Sequence, residues 1–134
     1  MEVNKIFSPV DIAISGLQAE SKNIEVISSN VANARTTNAG NGEPYRRIEL
    51  MLKTKGDDVS GVTVDKVAKD MSDFGRILDP GNPEADKNGY MTMPNVSLPT
   101  EMINLTVATR TYQANVAVLK RYQQMVETTL ELLK

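Results

Sequence analysis

The chain has 134 residues, with 15 Lys and Arg against 17 Asp and Glu, a formal net charge of −2. Such a balance suggests neither nucleic acid nor an anionic membrane as partner. The absence of His and Cys removes imidazole catalysis, thiol nucleophiles, zinc sites and disulfides together, and the absence of Trp argues against a large aromatic ligand pocket.

The first eight residues contain no continuous apolar segment of the secretory kind, so export with an intact N-terminus is the expectation. No apolar run approaches the roughly 18 residues that span a bilayer. Ser8-Pro9-Val10-Asp11 is a helix start: Ser8 as N-cap, Pro9 at the first helical position and Asp11 beside the positive dipole end. Val10, Leu17, Ile24 and Val31 then recur every seven residues, with Ala13 and Ile27 at the companion spacing. Glu20 interrupts this seam, and Gly16 costs such a helix about 1 kcal/mol relative to Ala. The Thr-, Asn- and Gly-rich residues 35–42 end the helix near Asn33.

The middle of the chain reads as short strands. Residues 45–53 place Ile48, Leu50 and Leu52 on one face, and residues 61–67 alternate again through Val62 and Val64. Residues 75–78 and 90–93 are shorter extended pieces. Asp79-Pro80-Gly81-Asn82 predicts a type II turn, and Asn41-Gly42 and Asn88-Gly89 are further turn signals. The expectation is one small sheet of three or four strands, too small to be stable alone.

Residues 100–134 contain neither Gly nor Pro. Leu105, Tyr112, Leu119, Val126 and Leu133 recur at spacing seven, with Ala108, Asn115, Tyr122 and Thr129 three residues further on. As a helix the segment is roughly 50 Å long, more than a small domain covers. The fold class is therefore mainly α with a small β module. Long N- and C-terminal helices (residues 1–37 and 99–134) pack as a coiled-coil-like pair, and short antiparallel strands lie between them (residues 38–98). Ile12, Ile14, Val116 and Val118 fall off the main stripes and stay uncovered in a two-helix pair.

Sites of chemistry are weak. Glu84-x-Asp86-x-Asn88-Gly89 departs from a calcium loop at its first and twelfth positions and reads as a solvated turn. Arg46 and Arg47 read as a solvated strand edge. Asp57 and Asp58 lie in a polar turn with nothing to perturb them. No catalytic, metal or cofactor residue is assigned, and an enzyme is not expected. Asn30 and Asn33 either sit in the seam or help end the first helix. Asn115, in mid-seam, suits a register role at a cost in stability.

Two stretches are more telling. Ile27-Ser28-Ser29-Asn30-Val31-Ala32-Asn33-Ala34-Arg35-Thr36 and Arg110-Thr111-Tyr112-Gln113-Ala114-Asn115 resemble the paired terminal motifs of the axial proteins of the bacterial flagellum, the rod, hook and hook-associated family. Asn41-Gly42-Glu43-Pro44-Tyr45-Arg46, Asp79-Pro80-Gly81-Asn82-Pro83, Met93-Pro94-Asn95-Val96 and Glu101-Met102-Ile103-Asn104 are similar to its proximal rod members. Ser97-Leu98-Pro99 departs from that pattern, where a more acidic helix start is expected. The resemblance implies a non-enzymatic subunit of the periplasmic rod, exported through the flagellar type III channel. Its implied partners are other rod proteins, copies of itself, and the basal-body ring and export-gate side. Its terminal helices would carry assembly, through Val10, Leu17, Ile24, Ile27, Asn30, Val31, Asn33, Leu105, Tyr112, Asn115, Leu119, Tyr122, Val126 and Leu133. The alternative is a soluble coiled-coil adaptor or export-chaperone-like module.

Overall fold

The computed structural model describes residues 9–56 and 59–133; the expectations for Ser8, Asp57 and Asp58 fall outside them. Helix α1 (Pro9–Ala32) is followed by strands β1 (Ile48–Thr54), β2 (Val62–Lys69), β3 (Gly75–Leu78) and β4 (Tyr90–Met93), then helix α2 (Leu98–Leu132). Mainly helical architecture with a small β module is what the periodicities predict. No described helix is long and apolar enough to cross a membrane.

The helices form an antiparallel pair. Asn30 faces Glu101 at one end and Gly16 faces Asn115 further along. Each helix advances fourteen residues between these two contacts, so the register does not drift over about 21 Å. The same register brings Pro9 level with Tyr122, and α2 runs on for ten residues beyond it. Ala13, Ala19, Val26, Ile27 and Ala108 are buried. Three of these are alanines, which lets the helix axes approach closely. On α2 the hydroxyls of Thr106, Thr109, Thr111, Thr128 and Thr129 each donate to the carbonyl four residues back. That bonding satisfies β-branched residues on the exposed face of a long helix.

The strands form two separate antiparallel ribbons, β1–β2 and β3–β4, rather than the single sheet expected. The first ribbon lies along α1. Its start is bonded to Asn30, and its far end is held where Val62 N donates to Ser15 Oγ at 3.0 Å. The six strand steps from Ile48 to Thr54, the partner of Val62, span about 20 Å, close to the roughly 22 Å covered by α1 between Ser15 and Asn30. A bulge opposite the Met51–Leu52 step, where Asp65 is the extra residue of β2, interrupts the ladder. Leu52 is 43% exposed, while Ile48 and Leu50 are half-buried; Leu52 still lines the cleft that faces α1.

The second ribbon packs on none of the other helices or strands, and all four β3 residues are exposed. Its turn is closed by Asn82 N donating to Asp79 O. Gly81 does not adopt the positive φ seen at Gly40, Gly42 and Gly89, so this is not the type II turn expected. An i to i+3 bond with ordinary φ at the third position is type I geometry, which Asp at the first position favours. Asn88-Gly89 supplies the positive φ instead. The turn over Glu84 to Gly89 is organised by Asp86, whose Oδ1 accepts from the amides of Asn88 and Tyr90.

Candidate assembly site

Among the described residues, the largest fully buried side chains are polar. Glu101 is fully buried and Asn30 is 1% exposed. The Asn30 amide uses all of its bonding capacity. Nδ2 donates to Ile48 O at 2.9 Å and to Glu101 Oε2 at 3.1 Å, while Oδ1 accepts from Ile48 N and the Tyr45 hydroxyl, each at 3.0 Å. Asn30 thereby pairs with Ile48 as a neighbouring strand residue does, and closes the outer edge of β1 at that point. Asn33 does what the other reading of these asparagines describes: its Nδ2 donates to Ser29 O at the last turn of α1.

Glu101 needs a cation, because a buried unpaired carboxylate is costly. Arg47 Nε donates to Glu101 Oε1 at 2.7 Å, and its Nη1 also reaches Glu49 and Asp70. Burial alone pulls the Arg47 guanidinium down. The hydrogen bonds and negative charges of Glu101 and Glu49 outweigh that and hold it above its ordinary value. Arg47 is therefore not on a solvated edge, contrary to the expectation from alternation. Arg46 is also engaged, donating to Asp70 O and Ser72 O and stacking over Phe74. Asn95 completes the junction. Its Oδ1 accepts from Arg47 N at 2.8 Å, and its Nδ2 donates to Asp70 O and Ser72 Oγ. The hub thus ties the end of α1, the end of the first ribbon where β1 begins and β2 leaves, the approach to the second and the first turn of α2.

The residues named for assembly scatter around this frame. Ile27 and Asn30 are buried, while Val10, Leu17, Ile24, Val31, Asn33, Leu105, Asn115, Leu119 and Tyr122 are half-buried. Tyr112, Val126 and Leu133 are exposed, the last at 79%. Leu17 and Tyr112 line the same shallow depression between the helices. The stripe of α2 that meets α1 runs through Glu101, Ala108, Asn115 and Tyr122, flanked by Leu105 and Leu119. Sequence reasoning missed Glu101 and Arg47 as partners. The available signal was a lone acid in the first turn of α2 and an Arg at the start of β1, which looks like ordinary surface charge.

The described residues form a pair of long helices with a small β module between them, and large apolar side chains are exposed on both the module and the C-terminal half of α2. Residues 11–39 match the family described as "Flagella basal body rod protein", and residues 87–132 match "Flagellar basal body rod FlgEFG protein C-terminal". The chain is 43% identical to the flagellar basal-body rod protein FlgC of Agrobacterium fabrum over 127 residues, covering 92% of this chain and 91% of that one. It is 41% identical to FlgC of Salmonella typhimurium over 125 residues, covering 91% and 93%. Against FlgC of Bacillus subtilis it is 37% identical over 145 residues, covering 94% and 97%. The chain belongs to the FlgC family of flagellar basal-body rod proteins.

Proposed function

We propose that the protein is a structural subunit of the proximal rod of the bacterial flagellum, stacking with copies of itself and with other rod proteins to transmit torque. Near full-length identity to FlgC rod proteins is the observation that carries this reading. The geometry suits it. The last ten residues of α2 extend past α1, with Met125, Leu130 and Leu132 exposed, which is apolar surface available to a neighbour. The buried hub fixes the first ribbon to the helices, so force applied at the helix ends reaches that ribbon without a soft joint. In this role no residue performs covalent chemistry. Export through the flagellar channel without cleavage, a place in the periplasmic part of the basal body, and contact with the ring and export-gate side belong to the same proposal. The assembly residues named from sequence are its proposed interface, Val126 and Leu133 foremost because they are exposed. The test is expression in a flagellated cell lacking its own FlgC. Recovered motility and the protein in isolated basal bodies with its first residues intact are expected. A folded protein that never enters basal bodies would sink the proposal and favour the adaptor reading.

A further inference from the structure

Helix α2 and the first ribbon both lie on α1 but do not pack on each other. Between them runs a groove floored by α1, with Leu50 and Leu52 on one wall and Val107 and Thr111 on the other. It comprises two adjoining clefts of about 340 and 280 Å³. The Arg47–Glu101 pair bridges its walls at the hub end. Glu20 lines both clefts. This half-buried carboxylate accepts a bond from the neutral Asn23 amide at 3.3 Å and forms no ion pair among the described residues. The groove is therefore mixed in character, with Ile27, Leu50, Leu52 and Val107 set among polar side chains, and of its carboxylates Glu49 and Glu101 meet Arg47 while Glu20 meets no cation among the described residues.

The complementary surface is on the same chain. Ala114, Val118, Arg121, Met125 and Leu132 are all exposed. Their spacing of four, three, four and seven puts them on one helical stripe, roughly a quarter of a turn from the stripe that meets α1. Arg121 makes no ion pair among the described residues. The stripe is about 27 Å long, and the groove from Asn30 to Gly16 about 21 Å.

We infer that the C-terminal half of α2 from a second copy lies in this groove, with its Arg121 on Glu20. This rests on the reading of the chain as a subunit that stacks with itself. The surfaces that meet are different, so the contact is heterologous and builds an open helical array where its rotation does not close. It is a helix-in-groove contact, in which the apolar side chains supply the burial and the charge pair sets the axial position.

The chain has no Cys, so a disulfide between Glu20→Cys and Arg121→Cys reports the contact cleanly. Within one copy Glu20 is level with Thr111, and Arg121 lies about 15 Å further along, too far for a bridge. Oxidised basal bodies from cells carrying the double-cysteine chain should give a ladder beyond dimer on non-reducing electrophoresis. E20R and R121E alone should each lower recovered rods at least tenfold, and the double reversal should bring recovery to within twofold of wild type. Rods that form without a ladder overturn the inference and leave the rod reading standing. A double reversal no better than its parents also overturns it. Failure of the wild-type chain to enter basal bodies sinks the rod reading itself.

Discussion

Gly16 on α1 lies against the carboxamide of Asn115 on α2: a Cβ at Gly16 would stand 2.7 Å from Nδ2 and 3.2 Å from Cγ. The glycine that weakens α1 is therefore the notch into which a polar seam residue fits. Gly16→Ala gains about 1 kcal/mol of helix propensity and loses a similar amount by displacing Asn115. The substitution should be near neutral alone and stabilising by about 1 kcal/mol in an Asn115→Ala background. A double-mutant cycle in urea measures this. Equal effects in the two backgrounds would show that the notch is incidental.

A second close approach holds the ribbon. A Cβ at Gly61 would stand 2.1 Å from Ser15 Oγ, 2.9 Å from Ser15 Cβ and 3.6 Å from the Ile12 backbone. Ser15 Oγ already donates to Ile12 O and accepts from Val62 N. Gly61→Ala therefore pushes the ribbon off the helix at a cost of about 1–3 kcal/mol. Ser15→Ala should not rescue it, since the Ser15 Cβ remains. Chemical denaturation of the single and double variants decides; full rescue by Ser15→Ala would contradict this packing account.

The second ribbon carries a local acid response. The Tyr90 amide, then the Asn88 amide and Arg76, hold Asp86 below the usual carboxylate range against a smaller opposing effect of burial. The depressed folded value means its contribution is present above the unfolded carboxylate pKa of about 3.9, and is lost as pH falls through the lower folded value. The Tyr90 and Asn88 amide resonances should move together with a midpoint below about 3.9, while residues of α1 stay still. A midpoint at or above that range would remove the hydrogen bonds as its cause.

Much of this architecture is legible in residue order. Pro9 at the first helical position, the spacing-seven recurrences and the alternation around Val62 and Val64 locate both helices and the first ribbon, and β3 and β4 fall on the residues predicted for them. Three things were not legible, each for a physical reason. A bulge shows no local composition, so the break in pairing beside Leu52 was invisible. Whether two hairpins share a sheet depends on what lies between them, here Asn95 and Arg46 rather than strand pairing. The hub is the deepest miss, because a buried ion pair between residues 47 and 101 looks in sequence like two solvated charges. The asparagine motif did point to Asn30, but periodicity alone does not separate a seam residue from one that completes a sheet edge.

Asn30 itself gives the sharpest test of the hub. In Asn30→Asp, the Oδ1 acceptor for Ile48 N and Tyr45 survives. The donor to Ile48 O and Glu101 becomes an oxygen, and two carboxylates face each other where 3.1 Å separated Nδ2 from Oε2. Both cannot remain ionised at that distance, so the folded pair keeps a proton that the unfolded chain releases near pH 4. A carboxyl whose folded pKa is raised makes stability fall as pH rises from the unfolded value to the folded one. The deficit of the variant relative to wild type should therefore be smallest in acid and grow with pH, reaching about 3–5 kcal/mol at neutrality. Asn30→Ala adds no charge, and its deficit should be nearly independent of pH over the same window. Urea denaturation from about pH 4 to 8, with exchange protection of the Ile48 amide as local readout, compares them. If the Asp and Ala variants lose stability in parallel across that window, Glu101 does not face Asn30 as a charged carboxylate, and the hub is not the joint between helices and ribbon.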